Sequence, residues 1–162
     1  MNILIYTHEF PPFQGGIATS SKMIADILSS ENNLMVCCPS YGEKTPLNNE
    51  KFITHRINFI GGKSFKKIPL AQYIYGLFKI KKIIKSFKPE KIFYLGEEAE
   101  IIGGLLNEKE IDQVVRIAGS GIESIIKSNS IKKILPKFLL KRLYKNSQYI
   151  ICLLYTSDAA DE

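Results

Sequence analysis

A chain of 162 residues, 45% of them hydrophobic, is long enough to form one domain with a buried core. Its three cysteines form no disulfide framework or metal-ligand pattern, and no apolar run reaches the roughly 20 residues of a membrane span. The net charge of +6 favours an anionic partner such as a nucleotide, a phospholipid surface or a nucleic acid, although an AT-rich genome would give the same lysine-rich composition.

The first thirty residues predict a strand, a loop and a helix in that order. Ile3-Leu4-Ile5-Tyr6 is a β-rich apolar run, residues 8–16 contain two prolines and end in Gly15-Gly16, and residues 17–28 have helical spacing. This order is the opening unit of a parallel α/β sheet, in which ligands bind beyond the carboxyl ends of the strands. Adjacent glycines let a ligand approach the backbone, and a helix N-terminus attracts negative charge. The loop therefore predicts an anion-binding site.

The remaining elements continue the alternation of strands and helices. Further strands are predicted at 34–38, 52–60, 92–95, 114–118 and 148–151, and helices at 70–87, 99–107 and 130–146. Pro136 predicts a break inside the last helix. The pattern predicts an open, mostly parallel, Rossmann-like α/β sheet with helices on both faces. The crevice would be lined by the loops at 8–16, 39–42, 96–98 and 118–123.

The loop sequences argue against several common kinds of binding site and active site. The first loop lacks the G-x-G-x-x-G dinucleotide fingerprint, and no G-x-x-x-x-G-K-[ST] phosphate loop occurs in the chain. There is no G-x-S-x-G elbow, and His8 and His55 are the only histidines, which argues against a hydrolase triad. We predict no metal and no cofactor.

Three motifs resemble the N-terminal domain of GT-B glycosyltransferases of the family 4 type. The first is His8-Glu9-Phe10-Pro11-Pro12 followed by Gly15-Gly16-Ile17-Ala18. The second is Gly96-Glu97 after the fourth strand, and the third is the run from Arg116 to Glu123 after the fifth. The order of elements over residues 1–151 is also similar. In place of the family's usual His-Gly pair, this chain has Ala118-Gly119.

The resemblance implies that residues 1–151 bind the acceptor of a retaining transferase, whose donor is a nucleotide-diphosphate sugar bound by a second domain. It implies that Gly15 and Gly16 approach the donor diphosphate, and it assigns no catalytic residue. The residues it suggests for acceptor binding are His8, Glu9, Phe10, Gln14, Glu97, Arg116, Ser120 and Glu123. Structural roles remain open for these positions, such as helix capping by Ser120 and pairing of Arg116 with a carboxylate.

Residues 152–162 resemble a translated sequencing-library adaptor rather than a natural protein segment. We therefore expect a natural gene that continues past Ile151 into the donor-binding domain, and a fragment that is inactive alone. The last eleven residues hold three acidic side chains and no basic one, so residues 1–151 carry 22 basic against 13 acidic side chains.

The implied partners are a nucleotide-sugar and a glycan or lipid-linked acceptor, in surface polysaccharide or glycolipid synthesis. The basic stretches 79–88 and 132–145 favour either a solvated surface or peripheral contact with anionic lipid. The expected location is the cytoplasm, with the inner face of the plasma membrane as the second option. No nucleic-acid reader motif occurs, which argues against nucleic acid. The alternative function is a stand-alone Rossmann-like module that binds a nucleotide or phosphorylated ligand without catalysis.

Overall fold

The computed structural model describes residues 1–40, 51–57, 71–117, 120–128 and 130–152. Six strands form one sheet in the order 3-2-1-4-5-6, and every pair is parallel. The strands are β1 (Asn2–Thr7), β2 (Asn33–Pro39), β3 (Ile53–Ile57), β4 (Lys91–Leu95), β5 (Asp112–Ile117) and β6 (Tyr149–Cys152). This order confirms the predicted open, Rossmann-like α/β sheet.

Helices cover both faces of the sheet, as predicted. They are α1 (Gly16–Leu28), α2 (Ala71–Phe87), α3 (Glu97–Leu106), α4 (Ser120–Lys127) and α5 (Ile134–Asn146). In β1, Ile3 and Ile5 pack with α1 on one face, whereas Leu4 and Tyr6 pack with α2, α3 and α5 on the other. Burial on both faces explains why β1 is a continuous apolar run rather than an alternating one.

The segment after β5 differs from the sequence prediction. Residues 120–123, predicted as loop, belong to α4, whose Ile122 and Ile125 pack against Leu139 and Leu140 of α5. The predicted break at Pro136 is wrong. A 3-10 turn at Ile131–Lys133 precedes α5, so Pro136 falls in the first turn of α5, where an amide has no intrahelical partner to lose.

The chain order reverses between β1 and β4, and this position defines the crevice. Thr7 at the end of β1 lies beside Leu95 at the end of β4. From there α1 leads to β2 on one side, while α3 leads to β5 on the other. In open α/β sheets the ligand binds where the order reverses, beyond the carboxyl ends of the strands. The loops after β1 and β4 are therefore the candidate binding loops.

Candidate functional site

A buried hydroxyl pair joins the end of β1 to α1. Thr7 Oγ1 donates to the Glu9 carbonyl oxygen at 2.9 Å, and it lies 3.3 Å from Ser21 Oγ of α1. Both side chains are fully buried. Because a buried hydroxyl is costly unless hydrogen-bonded, this arrangement fixes the turn that carries His8 and Glu9.

Phe10 anchors the loop in the core. Its ring is fully buried and meets the Phe52 ring edge-on, with centroids 6.2 Å apart and planes at 75°. Phe10 was a candidate acceptor contact, but in this position its ring is not exposed to a ligand. Its role in the structure is to hold the loop against the face covered by α1.

Arg56 of β3 ties the same loop to the sheet edge. Its Nη2 donates to the Pro11 carbonyl oxygen at 2.8 Å and its Nη1 to the Pro39 carbonyl oxygen at 3.4 Å. One guanidinium thus joins β3, the end of β2 and the loop after β1. This role could not be predicted from the sequence, since Arg56 lies 45 positions from Pro11.

We expect Arg56→Met to release the loop. The two carbonyl contacts would be lost, so the free energy of unfolding should fall by about 1–2 kcal/mol. Amide hydrogen exchange in residues 8–15 should accelerate, while exchange in β1 should change only as much as global stability does. Arg56→Lys, which keeps the charge and one donor group, should have a smaller effect. Unchanged exchange in residues 8–15 of the Met variant would show that Arg56 does not hold the loop.

His8 and Glu9 lie at the boundary between β1 and β4, close to the glycine that precedes Glu97. His8 Nε2 lies 3.6 Å from Glu9 Oε1. The imidazole packs over Gly96, where an added Cβ would lie 2.6 Å from His8 Nδ1 and where φ is +97°. Glycine is required there for both space and backbone conformation. Glu97 follows directly as the first residue of α3 and is half-buried.

The Gly15-Gly16 pair begins α1 and its two members differ. A Cβ at Gly15 would lie 2.9 Å from Glu9 Oε2, whereas a Cβ at Gly16 would meet nothing within 4 Å. No side chain caps the helix, and its first backbone bond runs from the Thr19 amide to the Gly15 carbonyl oxygen. The amides of residues 16–18 therefore have no intrahelical carbonyl to bind. The open side of Gly16 gives a ligand access to them.

A guanidinium from β5 lies beside this helix start. Arg116 Nη1 donates to Ser20 Oγ at 2.7 Å, and Ser20 Oγ in turn donates to the Gly16 carbonyl oxygen at 2.7 Å. Arg116 is half-buried. The fold thus brings a positive charge from across the crevice to the helix end with its free amides, a combination suited to an anion. Ser20 was not predicted, although its position four residues after Gly16 places it over the same turn.

The remaining candidates are less defined. Gln14 is exposed in the loop before α1. The structure does not describe the side chains of Ser120 and Glu123. The described residues also exclude positions 41–42 of the crevice loop at 39–42 and the Ala118-Gly119 pair. Within the described ranges, no group of three histidine, cysteine or acidic side chains is arranged to hold a metal ion.

Comparisons with known proteins identify no relative. The chain matches no protein-family model, and no curated protein is significantly similar to it.

Proposed function

We propose that residues 1–151 form the acceptor domain of a retaining glycosyltransferase that uses a nucleotide-diphosphate sugar. The observation that carries the proposal is the contact between Arg116 and Ser20, which brings a guanidinium to the first turn of α1 beside the open side of Gly16. The parallel sheet with a binding crevice between β1 and β4 agrees with it.

The chemistry assigned to this helix end is stabilisation of the departing diphosphate. When the bond between the sugar and the diphosphate breaks, negative charge grows on the phosphate oxygens. Amide groups at the start of α1 and the guanidinium of Arg116 are fixed before the reaction, so they stabilise that charge without reorganising. A phosphate can come close because no side chain extends from Gly16.

Sugar hydroxyls of the acceptor are assigned to the other side of the crevice. His8, Glu9 and Glu97 are partly exposed there, and carboxylates accept hydrogen bonds from hydroxyl groups. The imidazole of His8 packs over Gly96 and lies close to the Glu9 carboxylate. No side chain of this domain is assigned as a catalytic base. Turnover also needs the nucleotide-sugar site, which the resemblance places in a second domain.

We expect Gly16→Ala to impair sugar transfer without unfolding the protein. In the protein encoded by the full gene, kcat should fall about 100-fold, the usual effect of losing one oxyanion donor, because the added methyl group keeps the diphosphate from the amides. Arg116→Gln should have a similar effect. Release of nucleoside diphosphate from a panel of nucleotide-sugars measures both variants.

Met23→Ala is the matched control, since Met23 lies on the same helix and is 60% exposed. Its kcat should equal that of the wild type. A Gly16→Ala enzyme with wild-type kcat would contradict the proposed diphosphate site.

The second candidate function is a module that binds a phosphorylated ligand without catalysis. It is favoured by the fact that Arg116, Ser20 and Gly16 belong to one domain, so the anion site needs no second domain. Sugar transfer by the full gene product that is sensitive to Gly16→Ala excludes this alternative. Tight binding of inorganic pyrophosphate by a full gene product that transfers no sugar supports it instead.

A further inference from the structure

Helices α2 and α5 expose the same stripe of side chains. Each has isoleucine, phenylalanine, lysine and lysine at positions i, i+4, i+7 and i+11: Ile74, Phe78, Lys81 and Lys85 in α2, and Ile134, Phe138, Lys141 and Lys145 in α5. This spacing places all four on one side of a helix. The exposed fractions of the apolar members are 52% and 68% in α2 and 60% and 59% in α5.

The two stripes belong to the same side of the protein. Both helices pack on the sheet face that carries Leu4 and Tyr6, on either side of α3. Since packed helices are usually about 8–10 Å apart, we expect the α2 and α5 axes, with α3 between them, to be separated by about 20 Å. Because α2 leads from β3 to β4 and α5 from β5 to β6 in a parallel sheet, both run opposite to the strands. Along both helices, the stripe therefore runs from its apolar half to its basic half in the same direction.

The segments around α2 and α5 carry basic side chains only, whereas α3 between them holds Glu97, Glu98 and Glu100 in its first turn. Residues 51–89 and 124–151, which contain the two helices, include no aspartate or glutamate. The lysines of both stripes are exposed. Near α5 the apolar area is extended by Ile131 and Leu135, which are 84% and 51% exposed. Exposed large apolar side chains next to basic ones, with no acidic residue on either helix, suit a surface that is both apolar and anionic.

We propose that the stripes of α2 and α5, together the α2/α5 face, dock onto an anionic lipid bilayer. The isoleucines and phenylalanines enter the boundary between headgroups and acyl chains, and the lysines contact anionic headgroups. The docking is peripheral, and none of the helices in the described ranges has the length and apolar character to cross a bilayer. Because it rests on the two helices alone, the proposal is independent of the sugar-transfer function.

Vesicle co-sedimentation of the full 162-residue chain tests this proposal. We expect binding to vesicles of phosphatidylcholine and phosphatidylglycerol in equal parts, and little binding to pure phosphatidylcholine. Each lysine pair changed to glutamine should lower the partition coefficient about 25-fold, or about fivefold per lysine. Each apolar pair changed to serine should lower it about tenfold or more. The four variants are I74S/F78S, I134S/F138S, K81Q/K85Q and K141Q/K145Q.

A matched control lies on the opposite face of the sheet. Met23 and Ile27 of α1 are also four residues apart and are 60% and 68% exposed. M23S/I27S should bind vesicles as the wild type does. Circular dichroism of every variant checks that the fold is retained, which we expect because all substituted side chains are exposed.

Three results would overturn the proposal. Equal binding to neutral vesicles, or equal loss in M23S/I27S, would indicate unspecific adsorption. If only the lysine changes lowered vesicle binding, the natural partner of this face would be a soluble polyanion, such as a nucleic acid or an acidic protein. A stripe variant that lowers the sedimentation coefficient of the free protein, with no vesicle binding by the wild type, would assign the face to contact between copies of the chain.

Discussion

Replacing Gly104 by alanine is expected to destabilise the protein by about 3 kcal/mol, the upper end of the usual cost of overpacking. A Cβ at Gly104 would overlap the carbonyl group of Leu139 in α5, with 2.7 Å to the carbonyl carbon. The obstacle is backbone, so it cannot move aside as a flexible side chain could. Helices α3 and α5 would have to separate, which disturbs the packing of Leu139 and Leu140 against Ile101.

Urea unfolding followed by circular dichroism measures this effect. Gly16→Ala is the matched control, because it also adds one methyl group in a helix but meets nothing within 4 Å. Its free energy of unfolding should stay within about 0.5 kcal/mol of the wild type. If Gly104→Ala were as stable as Gly16→Ala, the close contact between α3 and α5 would be wrong.

Glu100 is expected to make stability fall as pH rises through the neutral range. Its side chain is fully buried in α3, and only one carboxylate oxygen has a hydrogen-bond partner among the described residues: Tyr144 Oη donates to Oε2 at 2.6 Å. The pKa of Glu100 is raised from 4.5 to about 7, mainly by burial and to a smaller extent by Glu97, while the Tyr144 hydrogen bond opposes the shift. The folded state therefore favours the protonated form.

The sign of the pH dependence follows from this raised pKa. The stabilising contribution of the protonated carboxyl is complete below pH 4.5, is lost as pH rises towards 7, and changes little above pH 8. Relative to Glu100→Gln, the wild type should lose about 2–3 kcal/mol of unfolding free energy between pH 5 and pH 8. Tyr144→Phe removes the opposing hydrogen bond, so it should extend the loss to higher pH. Parallel stability profiles of the wild type and Glu100→Gln would contradict the prediction.

The sheet and the first crevice loop were predictable because their signals are local. The apolar runs of β1, β2 and β4 and the helical spacing of α1 depend on neighbouring residues, and each appears within about two residues of its predicted bounds. The glycine pair at the start of α1 is likewise a local feature of the sequence. Parallel pairing then follows from the alternation of strands and helices.

Roles set by distant contacts were not predictable. The role of Arg56 depends on its contact with Pro11, 45 positions away. The role of Ser20 depends on its contact with Arg116, 96 positions away. Phe10 was a candidate acceptor contact, and a loop motif does not reveal that its side chain folds back into the core against Phe52. The helix α4 was missed although Ile122, Ile125 and Ile126 stand at helical spacing, because the segment was interpreted as the loop after β5.

In the proposed function, the first turn of α1 and Arg116 bind a diphosphate. Nuclear magnetic resonance of the ¹⁵N-labelled chain, titrated with inorganic pyrophosphate, tests it most directly. We expect saturable shifts of the Gly16 and Ile17 amides and of Arg116 Nε, and their loss in Gly16→Ala. Shifts confined to the lysine-rich ends of α2 and α5, or no saturable shift at all, would contradict the claim.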